Sequence, residues 1–248
     1  ALAYACRKRG LSLTVFAATT ANELKIARMR RLGAEVILSG ADFDAAKLAA
    51  REFAAQATGN SSDSRDAGRR LFVEDGAAVE TVEGAGTMAL EWLAGAAPPD
   101  VWLVPLGNGG LLGGVAHVAK SLRPSIKIVA VQASGAPAMI ESWRAGRAIE
   151  HDSIDTIADG IGVRVPVPES LDDIRGVIDE AILVSDEQII AAMRLVHRHL
   201  GLVIEPSAAV GVAALLSDPA ALRGARVGTI LCGGNVTPRQ MAEWLASR

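Results

Sequence analysis

Apolar positions along the chain gather into short runs, and amphipathic stretches separate them. Residues 11–16, 34–38, 71–73, 101–105, 126–131, 182–184 and 227–231 read as buried strands. Between them, apolar positions return at helical spacing. Residues 1–10 read as the second half of an amphipathic helix closed by Gly10. Thr20 or Asn22 can cap a helix to Leu32, with Gly33 as its stop. Further helices are expected at 42–57, 86–95 and 136–144, from Ser185 to Gly201, from Pro206 to Leu216, and from Pro238 onward. Ser185-Asp186-Glu187-Gln188 has capping-box spacing. Residues 59–66 form a polar surface loop, and 148–170 are the least regular stretch. Strand and helix alternate, which predicts parallel sheets with helices on both faces and a domain boundary near residue 76.

Two strands end in glycine. The run 101–105 leads into Gly107-Asn108-Gly109-Gly110-Leu111, and a helix carrying Val115, Val118, Ala119 and Lys120 follows. Glycines let backbone N–H groups approach a ligand. The helix start adds unpaired donors and about half a positive charge. Together they suit a phosphate or another small anion, although such a turn can also bind nothing. The run 227–231 leads into Cys232-Gly233-Gly234-Asn235. If both strands are parallel, both turns lie at one carboxyl edge, where open α/β folds bind ligands.

Composition narrows the classes. Half of the 248 residues are hydrophobic and only 4% are aromatic, so small residues fill tightly packed layers. The net charge of −3, from 25 basic and 28 acidic residues, argues against a nucleic-acid partner. Arg28-Met29-Arg30-Arg31 reads as a solvated helix face. Cys6 and Cys232 are too few for a disulfide framework or a zinc site, which fits a cytoplasmic protein. No apolar run is long enough for a membrane span. His197 and His199 point to different faces of one helix and make a poor metal pair.

Four segments carry a family resemblance: Gly107 to Leu111, Ile157-Ala158-Asp159-Gly160-Ile161, Ile204-Glu205-Pro206-Ser207-Ala208-Ala209, and Cys232 to Asn235. The helix Gly84-Ala85-Gly86-Thr87-Met88-Ala89-Leu90-Glu91 belongs with them, as does Lys25 followed by 30–36. Their order resembles the fold type II pyridoxal-phosphate enzymes, in the serine/threonine dehydratase and serine racemase branch. The resemblance implies two open doubly wound α/β domains of the tryptophan synthase β-like kind, here 1–76 and 77–248. It also implies a homodimer and a pyridoxal 5'-phosphate cofactor. The implied activity is β-elimination of water from a hydroxy amino acid, giving a 2-oxo acid and ammonia.

The resemblance also implies residue roles. Gly107, Asn108, Gly109, Gly110 and Leu111 would wrap the cofactor phosphate. Cys232 would face the pyridine nitrogen; otherwise it is a small buried residue closing a strand. Glu205 would lie near the ring; otherwise it is an acid favoured by a helix N-terminus. Gly76 stands where relatives often carry a polar cofactor contact. The family's Schiff-base lysine and its Gly-Asn-His segment have no counterpart here, so the chain is expected to lack its first several dozen residues and its catalytic lysine. Gln132 and Ala138 stand where some relatives place cation-binding carboxylates, so no metal is expected. Three alternatives remain: a β-replacement enzyme of the same fold, a non-catalytic ligand-binding remnant, and a nicotinamide-dependent dehydrogenase. The last is disfavoured by Leu112 at the third-glycine position and Gln132 in place of an acid.

Overall fold

The computed structural model describes residues 1–56, 70–95, 97–218, 220 and 222–246. The loop expected at 59–66 and the last residue of the helix expected at 42–57 lie outside the described residues. The chain divides into two compact units, Ala1–Glu74 and Asp75–Arg248.

In the first unit α1 (Leu2–Arg9) ends at Gly10 in the left-handed region, φ 67°. Leu11 N–H still bonds back to Cys6 O at 2.9 Å to close that helix. The first strand, β1 (Thr14–Ala17), therefore starts three residues later than the apolar run suggests. Asn22 caps α2 (Glu23–Arg31), its Oδ1 accepting from Leu24 N at 2.9 Å and Lys25 N at 3.4 Å. Parallel pairing joins β1 to β2 (Glu35–Leu38), and α3 (Phe43–Gln56) lays Phe53 against Phe16.

The strand expected at 71–73 does not form. Leu71 is 83% exposed, and side chains rather than a ladder tie this segment to α3. Arg70 donates to Phe53 O at 2.8 Å and stacks on its ring, while Glu74 pairs with Lys47 and Arg51.

The second unit holds a fully parallel sheet of β3 (Val101–Pro105), β4 (Lys127–Ala133), β5 (Glu180–Val184) and β6 (Val227–Thr229), ordered β5-β4-β3-β6. Alternate side chains feed two cores. Trp102, Val104, Leu106, Ile128 and Ala130 pack on α4 (Val79–Leu93), α5 (Gly110–Leu122), α6 (Ala138–Ala145) and α7 (Pro168–Ile174). Val101, Leu103, Val129 and Val131 face α8 (Asp186–Leu200), α9 (Pro206–Ser217) and α10 (Pro238–Trp244). Both halves of the Ser185–Gln188 capping box are present at the start of α8.

Two helices differ from expectation. The α4 helix begins at Val79, seven residues before the expected start at 86. Gly84 and Gly86 weaken its local helix signal, yet packing requires a small residue at Gly86. A Cβ on Gly114 would overlap Val82 O, and one on Gly86 would sit 2.9 Å from Val118 Cγ2. The backbones of α4 and α5 thus meet almost without side chains between them. The α7 helix was not expected at all. Its seven residues start at Pro168, inside and beyond the irregular stretch. Residues 159–161 add a single 3₁₀ turn.

Candidate active site

Strand β3 makes its last sheet bond through Leu106 N–H to Val131 O at 2.8 Å. The chain then leaves the sheet through the glycine loop. Gly109 takes φ 92° and serves as the N-cap of α5, a conformation costly for residues with a Cβ. The N–H groups of Gly107, Asn108, Gly109, Gly110 and Leu111 have no acceptor among the described residues. The Asn108 side chain is buried, and its Oδ1 has no hydrogen-bond partner among them either. Such a set of successive donors at a helix start has the make-up of an anion cradle.

The cradle is tightly walled. A Cβ on Gly107 would lie 3.2 Å from Ile161 Cα, so the 159–161 turn closes one side. A Cβ on Gly110 would lie 3.0 Å from Asp75 Oδ1. Gly76, at φ 86°, presses its bare Cα against Asn108 O. The Ser170 hydroxyl donates to that same carbonyl oxygen.

Strands β3 and β6 are parallel neighbours, so the second glycine turn reaches the same carboxyl edge. Glu205, 7% exposed, holds it. Its Oε2 accepts from Asn235 N at 3.0 Å and Asn235 Nδ2 at 2.7 Å, and its own N–H donates to Gly233 O at 3.0 Å. Gly233 has no room for a Cβ, which would overlap the Glu205 carboxylate. Glu205 is the N-cap of α9, but its side chain makes no capping bond. The acid expected at a helix N-terminus does stand at the N-cap of α9, and its carboxylate also clasps the neighbouring turn. Cys232 is exposed, which excludes the buried strand plug. Gly160 bridges the two turns: its missing Cβ would be 2.6 Å from Ser207 Oγ and 3.2 Å from Glu205 Oε1. Ser207 Oγ is buried and has no partner among the described residues.

All four motif segments therefore converge at one edge of one sheet. Three participants, Asp75, Ser170 and Ser207, were not singled out from the sequence. Ser170 lies on an unexpected helix, and nothing local marks it. Ser207 lay inside a quoted motif, but its orphaned hydroxyl emerges only from packing.

The remaining candidates fall elsewhere. Gln132 is fully buried and its Oε1 accepts from Ile140 N at 3.1 Å. His197 and His199 are exposed on α8. Among the described residues no three His, Cys, Asp or Glu side chains gather as metal ligands, and no helix is long and apolar enough to cross a membrane.

The family model described as pyridoxal-phosphate dependent enzyme matches residues 1–233. The chain belongs to this family. Phenylserine dehydratase from Ralstonia pickettii is 34% identical over 245 residues, covering 98% of this chain and 72% of that protein. L-threonine ammonia-lyase from Thermotoga maritima is 34% identical over 235 residues, covering 95% of this chain and 56% of that protein. The structure of maize serine racemase superposes with a TM-score of 0.81 at 29% identity, over 98% of this chain and 71% of that one. The fold is that of the fold type II pyridoxal-phosphate enzymes.

The family's cofactor is pyridoxal 5'-phosphate, and the residues present suit it. A phosphate dianion needs several donors and room to approach them closely. The loop offers five N–H groups without an acceptor among the described residues, three of them on glycines. A ring nitrogen needs one polar partner beside it, and the Cys232 thiol stands exposed on the adjacent turn.

Proposed function

We propose that the protein catalyses β-elimination of water from a hydroxy amino acid of the serine or threonine type, releasing a 2-oxo acid and ammonia. The observation that carries this is the pairing of the two turns. A five-donor anion cradle and a thiol-bearing turn share one sheet edge, in a chain whose relatives include a phenylserine dehydratase and a threonine ammonia-lyase.

The proposed roles follow from chemistry. Backbone N–H groups of Gly107 to Leu111 bind the phosphate, and the α5 dipole adds to their hold. Cys232 partners the ring nitrogen. A neutral thiol leaves that nitrogen largely unprotonated, which favours prompt loss of a leaving group over a long-lived carbanion. Glu205 orients the Cys232 turn through Gly233 and Asn235. Pyridoxal phosphate, when bound, supplies the electron sink that stabilises charge at the amino acid Cα. The proton-transferring lysine is assigned to a segment outside these 248 residues. Lys47, Lys120 and Lys127 are engaged with Glu74, Asp179 and Glu180, and no lysine adjoins the glycine turns in sequence.

The same proposal takes 1–76 as a small domain and 77–248 as the cofactor-binding one, supported by the compact units that meet between Glu74 and Asp75. It takes the enzyme as a cytoplasmic homodimer, by likeness to the family. The test is an assay of the natural polypeptide loaded with cofactor. L-serine, L-threonine or β-phenylserine should yield ammonia and the matching 2-oxo acid in equal amounts. If none does, the proposal fails. Formation of D-serine without oxo acid would favour racemisation, the activity in the name of the maize relative.

A further inference from the structure

We propose that Ser170 is a positioning residue that fixes which way the Asn108–Gly109 peptide faces, and so aims the Gly109 N–H into the anion cradle. The inference rests on the phosphate-holding role proposed for that loop.

Hydroxyls on helices commonly bond back to a carbonyl of their own helix. Ser142 in α6 does this with Ala138 O at 2.6 Å, and Thr87 in α4 does it with Gly84 O at 2.7 Å. Ser170, 1% exposed and third in α7, has no residue of its own helix three or four places before it to bond. Its hydroxyl crosses to the carbonyl of Asn108, sixty-two residues away in sequence. The same oxygen is backed by the bare Cα of Gly76, held at φ 86°. One carbonyl is thus gripped from two sides by residues distant in the chain.

A trans peptide is planar, so its C=O and the following N–H point in opposite directions. Fixing Asn108 O toward Ser170 therefore turns the Gly109 N–H away from α7. That N–H has no acceptor among the described residues. A glycine after the peptide makes the reverse orientation accessible at little steric cost. The loop needs Gly109 for its φ of 92°, and it would be free to flip without an outside hold. Ser170 supplies that hold. Gly109 in turn must remain bare, because a Cβ there would overlap the Ser170 hydroxyl.

The test measures binding to this chain of pyridoxal phosphate, pyridoxal and inorganic phosphate, for wild type, Ser170→Ala and Ser170→Thr. Wild type should prefer pyridoxal phosphate over pyridoxal, and inorganic phosphate should compete. Ser170→Ala should lose about tenfold in affinity for pyridoxal phosphate, the worth of one hydrogen bond. Its affinity for pyridoxal should be unchanged. Ser170→Thr, which keeps the hydroxyl, should restore binding. The Gly109 amide resonance should move on phosphate addition in wild type and Ser170→Thr only. Equal phosphate affinity in wild type and Ser170→Ala overturns the proposal alone. No preference for pyridoxal phosphate in wild type overturns the loop's role itself. If Ser170→Ala does not fold, Ser170→Cys decides by the same comparison: the weaker thiol donor should lower phosphate affinity, and full retention overturns the proposal.

Discussion

At Glu205 one carboxylate oxygen satisfies both a backbone and a side-chain donor of Asn235. Removing that acceptor leaves two donors short in a largely buried place. Glu205→Ala should cost about 1–3 kcal/mol of unfolding free energy by denaturant titration. Glu205→Gln keeps an acceptor oxygen and should lose less. A loss from Glu205→Ala no larger than that of an exposed acid would show that the clasp holds nothing. The sequence announced Glu205 through its proline neighbour and its place in a recognisable run. It did not announce Asn235 as the partner, because that contact joins α9 to the turn after β6 and depends on the sheet order. Ser170 was illegible for the same reason. A serine on a short helix carries no mark of the carbonyl it will meet. The glycines of the loop were legible because their chemistry is local: each marks a backbone that must bend or be approached.

Among the elements, the α4–α5 pair sets the position of the cradle. The first residue of α5 belongs to the loop, and the fifth, Gly114, meets Gly86 of α4 backbone to backbone. Gly114→Ala places a methyl group onto Val82 O and must push the helices apart. We expect a loss of about 1–3 kcal/mol, as for other overpacked sites, together with weaker phosphate binding. Gly84→Ala, where a Cβ meets nothing within 4 Å, should be neutral or stabilising in the same melting experiment. Equal melting of the two variants would contradict the packing account. The glycines that make this contact also hid it from sequence. They lower helix propensity where the helix runs, so its first two turns read as loop. Where local signals agreed with packing, as at the Ser185 box and the Gly201 stop of α8, the element was legible to the residue.

For the whole molecule, the alternation of apolar runs and amphipathic stretches was enough to give parallel sheets covered on both faces. It was not enough for residues 71–73, where a short apolar run finds no ladder and α3 holds the segment by side chains. The second unit has both of its cores drawn from residues 88–245. A chain of residues 75–248 should therefore unfold cooperatively by itself, with one sigmoidal transition in denaturant. A gradual, non-sigmoidal loss of structure would show that its sheet depends on the first unit. The clasp at Glu205 has one more consequence. Because it grips the turn at Gly233 and Asn235, the side chain at 232 rides on a bracket fastened elsewhere. Cys232→Ser should therefore leave the architecture standing, and under the role proposed for the thiol it changes only the group offered to the ring, like a fitting swapped on a fixed mount.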